Sequence, residues 1–367
     1  MFRYHTLSVA VAAATLGLAA AAAQANEVRV YNWSDYIAED TLERFTEETG
    51  IEVIYDVYDS NEVLEAALLS GRSGYDVVVP SNHYLTRQIS AGVYRELDHD
   101  LIPNMVNLNP DLMDDLEFVD PGSQYSIPYM WGTNGIGYNV ERVTEILGDD
   151  APLDSWALIF DPEVTTALNQ GGCGISMLDT GDDMLSAGMA YLGLSPLSEE
   201  TADIEAAGEM IAAVRDNMTY FHSSRYISDL ANGDICVAAG YSGDVFQAAD
   251  RAAEAGRDFT IAYSIPKEGA ALWFDMMAIP ADAPNPDNAH AFINFILEPE
   301  IAAGITEYVV YANPNLAANE FLDPEILNDP AVYPDQEVMD NLFVQEEKPL
   351  AVQRVRTRTW NRVKSGQ

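Results

Sequence analysis

Strand-like and helix-like segments alternate along residues 28–90, and this alternation limits the possible folds more than any other feature of the sequence. Hydrophobic runs predict strands over 28–31, 51–57 and 76–79. Amphipathic or apolar segments predict helices over 40–48, 62–69 and 84–90, the first of them ending at Gly50. Such alternation is typical of βαβ units in a mostly parallel sheet. The sequence therefore predicts an α/β fold.

Polar and aromatic residues follow two of these predicted strands, at 32–36 and at Ser81. Sheets of this kind bind ligands in the crevice beyond the carboxyl ends of their strands, so both segments are candidate site residues. Residues 129–139 are apolar and contain three glycines in six positions. This spacing does not match G-x-G-x-x-G and no phosphate-binding Lys follows, so we interpret the segment as a crossover between two domains. Strands are predicted again over 262–266 and 271–279, and a helix over 288–297.

The first 25 residues have the pattern of a secretory signal peptide. Arg3 precedes an apolar stretch from Leu7 to Ala23, and an A-x-A-like site ends at Ala25. A membrane anchor is the alternative, but the stretch is Ala-rich and short for a span. We expect a mature, soluble periplasmic chain from Asn26, long enough for about two domains.

The chain is strongly acidic, with 59 Asp and Glu against 18 Lys and Arg and a net charge of −41. This charge excludes nucleic-acid binding. It indicates either a salt-adapted surface or attraction of a cationic solute, and the sequence leaves both interpretations open. The last twenty residues nevertheless hold six of the basic residues, including Arg354, Arg356 and Arg358. These either form a docking patch or pair with nearby acids to close the fold.

No enzyme, cofactor or metal motif is present in the sequence. Residues 240–244 resemble a serine nucleophile elbow, but they lack the G-x-S-x-G spacing, and the five histidines lack metal-ligand spacing. We expect neither a cofactor nor a catalytic site, with an exported enzyme as the less favoured alternative. The two cysteines, Cys173 and Cys236, indicate one disulfide in an exported protein; a redox or metal role is the weaker alternative.

Carboxylates are interleaved with aromatic residues at several segment ends, in 33–36, 241–244 and 273–275, and Tyr311 stands near another. Each ammonium group of an organic diamine offers three hydrogen-bond donors, which carboxylates accept in charge-assisted bonds. Aromatic faces attract cations and also cover a methylene chain. Taken singly, each aromatic residue fits a core position and each Asp a cap or turn. Together they suit a diammonium ligand.

The sequence resembles the periplasmic putrescine-binding proteins of polyamine ABC importers from Val28 to the C terminus. The segments that carry the resemblance include 31–36, 57–65, 78–81, 128–131, 135–139, 220–224, 230–236, 264–270 and 354–358. The resemblance implies a type II periplasmic-binding-protein fold, with two α/β lobes joined by a hinge and the ligand in the cleft between them. We expect one lobe over 26–133 and 258–300, and the other over 134–257 and 301–367.

The resemblance also implies a set of ligand-binding residues. Asp244 and Asp275 are expected to bind the two ammonium groups, Ser81 to contact one amine, and Cys173 and Cys236 to match a disulfide of the family. The other expected cleft residues are Trp33, Ser34, Asp35, Tyr36, Asp183, Ser223, Tyr241, Trp273, Tyr311 and Gln345.

Four of these positions differ from the putrescine-binding pattern. Asp183 stands where Glu is expected and Tyr241 where Trp is expected, while Trp273 replaces a Phe and Gln345 a Leu. The last two resemble the spermidine-binding relatives, so a spermidine-preferring or mixed-specificity protein is the alternative ligand prediction.

The predicted function is capture of the polyamine by lobe closure and delivery to a membrane ABC permease, by a monomer. Three alternatives remain: a polyamine sensor, an exported enzyme acting on amines or sugars, and the same fold with another cationic solute. Two acids for two amines argue against a monocation.

Overall fold

The computed structural model describes residues 26–366, so the predicted signal peptide lies outside the described residues. Strands within this range are β1 (Glu27–Trp33), β2 (Glu52–Tyr58), β3 (Val77–Val78), β4 (Ser126–Asn139), β5 (Ile175–Met177), β6 (Tyr220–Phe221), β7 (Val237–Tyr241), β8 (Ile261–Ser264), β9 (Ala270–Ala278) and β10 (Leu342–Val344). The predicted strands and helices of residues 28–90 are confirmed to within two residues at each end. α1 ends at Gly50, whose φ of 73° allows its backbone N–H to reach the carbonyl of Thr46.

The α-helices of the same range are α1 (Thr41–Thr49), α2 (Asn61–Leu69), α3 (Asn82–Ser90), α4 (Pro110–Asp115), α5 (Val140–Leu147), α6 (Ala157–Phe160), α7 (Pro162–Gln170), α8 (Gly181–Tyr191), α9 (Thr201–Val214), α10 (Arg225–Asn232), α11 (Ser242–Glu254), α12 (Pro286–Ile296), α13 (Pro299–Val309), α14 (Pro324–Leu327), α15 (Gln336–Met339) and α16 (Leu350–Ser365). Short 3₁₀ helices cover His99–Leu101, Pro103–Asn107, Pro121–Ser123, Arg215–Asn217 and Leu316–Glu320. None of the helices in 26–366 is long and apolar enough to cross a membrane.

The strands form one mixed sheet with the order β2-β1-β3-β9-β4-β7-β5-β6; β8 also pairs with β4, and β10 with β9. β1 pairs in parallel with β2 and β3, and β5 pairs in parallel with β6 and β7. These two parallel groups are separated by the antiparallel strands β9 and β4. The α/β class predicted from the alternating pattern is therefore observed on both sides of the sheet.

β4 connects the two halves of the sheet, as the glycine-rich segment predicts. Its first part, to Thr133, pairs with β9, and its second part, from Asn134, pairs with β7 and β8. All fourteen residues are buried. A Cβ at Gly132 would lie 2.9 Å from the Trp273 ring, and one at Gly135 would lie 2.5 Å from a backbone carbonyl. These glycines thus permit close packing at the crossover.

Buried hydrophobic residues divide between cores on the two sides of this crossover. The largest core is built from residues 136–261 with Ala270, Trp360 and Val363. Two others combine residues 28–131 with residues from 272 onwards. Most buried residues of 301–312 pack in these two cores, whereas α16 packs on the first. The predicted lobe of 134–257 and 301–367 is therefore divided in its packing between α13 and α16.

A disulfide joins Cys173 and Cys236, with their Cα atoms 5.4 Å apart. It links the start of β5 to the start of β7, which pair in parallel. The prediction of one disulfide from the cysteine count is confirmed.

Candidate ligand-binding cleft

A cleft of about 740 Å³, counting the space open to solvent at its mouth, lies between residues of both halves of the sheet. Its lining consists of Trp33, Ser34, Tyr36, Tyr58, Asp59, Ser60, Asn61, Glu62, Ser81, His83, Tyr84, Thr180, Asp183, Ser223, Ser224, Tyr241, Asp244, Trp273, Asp275 and Tyr311. Most of these residues follow the carboxyl ends of β1, β2, β3, β5, β6 and β7. This is the location that the rule for parallel sheets predicts.

Asp244 is a buried carboxylate in the first turn of α11. Its Oδ1 accepts a hydrogen bond of 2.7 Å from the Tyr311 hydroxyl, and its Oδ2 accepts one of 2.7 Å from Tyr226. Burial raises the pKa of Asp244 to about 7, although both hydrogen bonds act to lower it. The tyrosines fix the carboxylate without neutralising its charge.

Asp275 lies in β9, and its backbone forms an isolated antiparallel bridge with Ser81. The Ser81 hydroxyl donates a 2.6 Å hydrogen bond to Asp275 Oδ1, and Asn61 in turn donates to that hydroxyl. Burial raises the pKa of Asp275 to about 7, partly offset by the bond from Ser81. This carboxylate is also held by neutral donors only.

Asp183 is a third carboxylate, in the first turn of α8. Tyr241 donates to its Oδ2 at 3.4 Å, and Gln345 donates to its Oδ1 at 3.3 Å. Burial, followed by the negative charge of neighbouring Asp182, raises the pKa of Asp183 to about 6. The three carboxylates reach the cleft from different elements. Each accepts hydrogen bonds from neutral donors only, and burial raises the pKa of each.

Aromatic rings form a connected wall of this cleft. The ring of Trp273 lies 5.8 Å from Tyr241 and 5.3 Å from Tyr311, and Tyr311 lies 5.1 Å from Tyr36, all near edge-to-face. Trp273 Nε1 is buried and has no hydrogen-bond partner among the described residues. These rings can cover an apolar chain and present their faces to a cation.

The lining of the cleft carries negative charge without a balancing positive one. Five carboxylates line it and no Lys or Arg does. His83 also lines the cleft, but burial lowers the pKa of His83 to about 4, so it is neutral at pH 7. The residues of 26–366 contain no cluster of side chains that could hold a metal ion. The arrangement suits an organic cation with more than one ammonium group.

The sequence model of the bacterial extracellular solute-binding proteins matches residues 40–334 of this chain. This chain belongs to that family. Its sequence is 54% identical over 360 residues to the putrescine-binding periplasmic protein SpuD of Pseudomonas aeruginosa, covering 98% of this chain and 97% of the relative. It is 46% identical over 359 residues to the putrescine-binding periplasmic protein PotF of Escherichia coli, covering 98% and 96%.

Solved structures agree with this membership. The spermidine/putrescine ABC transporter substrate-binding protein PotD of Streptococcus pneumoniae superposes with a TM-score of 0.73 at 31% identity, covering 93% of this chain and 99% of that one. The two-lobed binding-protein fold predicted from the resemblance is therefore confirmed. Family proteins of this kind are extracellular or periplasmic substrate-binding proteins of transport systems.

The structure brings eleven of the thirteen predicted site residues to the cleft: Trp33, Ser34, Tyr36, Ser81, Asp183, Ser223, Tyr241, Asp244, Trp273, Asp275 and Tyr311. Asp35 is not among the lining residues; its Oδ1 lies 2.6 Å from the Arg251 guanidinium, at an exposed position. Gln345 lies behind the lining, where its side-chain amide reaches both Asp183 and the carbonyl of Asp182. The role of each residue in binding a ligand stays a prediction.

Several lining residues were not predicted, among them Tyr58, Asn61, Glu62, Thr180 and Tyr84. Tyr58 ends β2, and Asn61 and Glu62 follow it within the segment 57–65 that carries the family resemblance. The rule that points to the ends of β1 and β3 applies equally to β2, so it could have identified them. Thr180 follows β5, a strand that the sequence pattern did not predict, and Tyr84 lies within α3 rather than at a strand end.

Proposed function

We propose that this protein binds putrescine in the cleft and delivers it to a membrane ABC permease. The observation that carries the proposal is the pair Asp244 and Asp275, two buried carboxylates held only by neutral hydrogen-bond donors. A buried charge without a counter-charge is costly, so each gains stability when an ammonium group binds. Both relatives described above are putrescine-binding periplasmic proteins, which supports the choice of diamine.

The mechanism follows from the position of these carboxylates on opposite parts of the sheet. Asp275 lies in β9 within the cores that contain the N-terminal residues, and Asp244 lies in α11, which packs on the core of residues 136–261. A diammonium ligand that contacts both prefers the closed arrangement and shifts the population toward it. We propose that the mature protein acts in the periplasm as a monomer, binding its solute without altering it.

A spermidine-preferring or mixed-specificity protein is the second candidate, and Asp183 is the observation that favours it. A triamine carries a third ammonium group, and Asp183 is a third lining carboxylate without a cation partner. Trp273 and Gln345 are the two residues at which the sequence resembles the spermidine-binding relatives.

Calorimetric titration of refolded, ligand-free protein with putrescine, cadaverine, spermidine and spermine tests the proposal. We expect tight putrescine binding that Asp244→Asn and Asp275→Asn abolish. The matched control is Asp216→Asn, because Asp216 has a fully exposed side chain and does not line the cleft. Tighter binding of spermidine moves the proposal to the second candidate. Absence of binding by every amine, or a change in their mass on incubation, contradicts it.

A further inference from the structure

The C-terminal helix α16 is the most basic element of an otherwise acidic protein. Residues 350–367 contain five Lys and Arg and no Asp or Glu, in a chain with 59 acidic and 18 basic residues. Three of the five cations follow one another at four-residue intervals, at positions 354, 358 and 362. Side chains four apart lie on one side of a helix, so like charges there repel each other. The fold does not gain stability from this spacing.

The inner side of α16 uses its charges within the protein. Arg356 is almost completely buried, and its guanidinium donates to Asp182 at 2.9 Å and to Ser186 at 2.8 Å. Lys364 lies 2.6 Å from Asp179. These two cations close the fold, as one of the two interpretations of the C-terminal basic cluster predicts.

The outer side of α16 does not use its charges in this way. Arg354 and Arg358 are exposed, and their guanidinium groups have no salt bridge or hydrogen bond to any residue of 26–366. Arg362 forms a 3.7 Å ion pair with Glu205 and donates to the Thr359 hydroxyl at 3.4 Å, so it is the partly paired member of the row. Leu350 begins the same side with 66% of its surface exposed. We call Leu350, Arg354, Arg358 and Arg362 the arginine face.

The arginine face lies next to a depression that shares lining residues with the ligand cleft. Gln353, Thr357 and Asn361, each next to it on α16, line a depression that Ser60 and Glu62 also line. Ser60 and Glu62 are at the same time lining residues of the ligand cleft. A partner bound to the arginine face would therefore stand next to the place where the two halves of the molecule meet.

We propose that the arginine face docks on an acidic segment of the extracytoplasmic surface of the ABC permease. This inference rests on the proposed function. Guanidinium groups bind carboxylates through two parallel hydrogen bonds, and Arg is enriched in protein interfaces. An exposed Leu supplies an apolar contact at one end of the row. A protein partner is favoured over an anionic lipid surface, because a local acidic segment can contact the arginine face alone. An extended anionic surface also repels the rest of a protein with a net charge of −41.

The double variant R354E/R358E tests the inference, with R72E/R95E as the matched control. Arg72 and Arg95 lie outside α16 and form no salt bridge within the described chain, so the control reverses two charges elsewhere. Each variant replaces the wild-type protein in its host, and uptake of radiolabelled putrescine is measured at equal periplasmic protein levels. Putrescine affinity of each purified protein is measured by calorimetry.

We expect R354E/R358E to reduce uptake at least about tenfold, because reversed charges repel an acidic partner. Its putrescine affinity should equal that of wild type, and R72E/R95E should transport normally. The milder R354Q/R358Q should give an intermediate uptake, which a folding defect would not. Unchanged uptake by R354E/R358E with normal putrescine affinity overturns the docking inference alone. Failure of the wild-type protein to bind putrescine overturns the proposed function instead.

Sedimentation with phosphatidylglycerol vesicles separates the two classes of acidic partner. We expect the wild-type protein to stay in the supernatant at physiological salt. Sedimentation of the wild type that R354E/R358E abolishes would assign the arginine face to the lipid surface and overturn the permease inference.

Discussion

Asp182 and Asp183 are adjacent in the first turn of α8, yet they belong to two different regions of the molecule. Asp182 is part of an ion-pair cluster under the helix, where Arg356 donates to its carboxylate at 2.9 Å. Asp183 lines the cleft, where only neutral donors reach it. Burial acts to raise the pKa of both carboxyl groups. The charge of Arg356 reverses this for Asp182 and lowers its pKa, whereas the pKa of Asp183 rises to about 6.

This difference distinguishes a carboxylate that stabilises the fold through an ion pair from carboxylates that line the cleft without a cation partner. Asp244 and Asp275 belong with Asp183, since each is buried and neither has a cation within its hydrogen-bond network. The protein itself supplies the positive charge for Asp182. For the other three, we propose that the solute supplies it. The predictions below test this division from the largest expected effect to the smallest.

Asp182→Asn should reduce the free energy of unfolding by about 3–5 kcal/mol, because it leaves the buried Arg356 guanidinium without its counter-charge. Denaturant unfolding of the ligand-free protein at pH 7 measures the change. Asp183→Asn is the matched control one residue away, and it removes a charge that has no cation partner. Equal losses of stability in the two variants would show that the ion pair with Arg356 does not make Asp182 more important for stability than Asp183.

Asp275→Asn should weaken putrescine binding at least about 100-fold, or roughly 2.7 kcal/mol, because a charge-assisted bond to an ammonium group is lost. The same variant should unfold at a higher denaturant concentration without ligand, since a buried charge is removed. Calorimetry and denaturation of one preparation give both values. If the variant lost both putrescine affinity and stability, Asp275 would be a carboxylate that stabilises the fold, as Asp182 is.

Much of the fold could be predicted because its determinants are local. Hydrophobic patterns located β1, β2 and β9, and the glycines of β4 marked the crossover between the halves of the sheet. The lobe boundary near residue 300 was harder to place, because α13 and α16 were both assigned to the second lobe and yet pack on different cores. The core on which a helix packs depends on long-range contacts, which a local sequence pattern does not predict.

The candidate site was predictable where residues follow a strand, and less so where a charge finds its partner in space. Asp35 was expected in the cleft with its neighbours, but a φ of 55° and an ion pair with Arg251 accompany its place outside the lining. Arg356 and Asp182 are 174 residues apart in the chain, so the sequence did not indicate that they pair. Because of this separation, the sequence also did not indicate that Asp182 has a cation partner whereas Asp183 has none.

Putrescine affinity should decrease as the pH falls from 8 to 5. Without ligand, the pKa values of Asp244 and Asp275 are about 7, so each is half-protonated at pH 7. A bound diammonium ion favours the ionised forms, and binding at pH 7 should therefore release about one proton. Calorimetry in two buffers of different ionisation enthalpy counts the protons. Binding without proton release between pH 6 and 8 would contradict the assignment of these carboxylates to the ligand.

The stability of the ligand-free protein should respond to pH in the opposite sense. A carboxyl group whose pKa is higher in the folded than in the unfolded chain contributes stability below its unfolded pKa of about 4, and this is lost as the pH rises through its folded pKa. For Asp183, Asp244 and Asp275 the loss falls between about pH 4 and pH 7. Saturating putrescine should remove the contribution of the two diamine-binding groups, which comparison of unfolding curves at pH 5 and pH 8 measures.

Gln345→Leu should have the smallest effect, a decrease in polyamine affinity of less than about tenfold. The Gln345 amide joins the two regions, since it donates both to the carbonyl of Asp182 and to the carboxylate of Asp183. Losing this donor makes the ionised form of Asp183 less favourable, so the change should be larger for spermidine than for putrescine if Asp183 binds the third ammonium group. Competitive titration of the two amines measures the ratio.

Gln353→Leu is the matched control for this last prediction, because the Gln353 amide donates to the carboxylate of Asp182 and not to Asp183. It should lower stability slightly and leave the spermidine-to-putrescine ratio unchanged. If both Gln variants changed the spermidine-to-putrescine ratio equally, the ion-pair cluster would affect ligand binding by positioning α8 as a whole. If only Gln345→Leu changed this ratio, the effect would depend on the hydrogen bond to the Asp183 carboxylate. The boundary between the two regions would then lie between the consecutive residues Asp182 and Asp183.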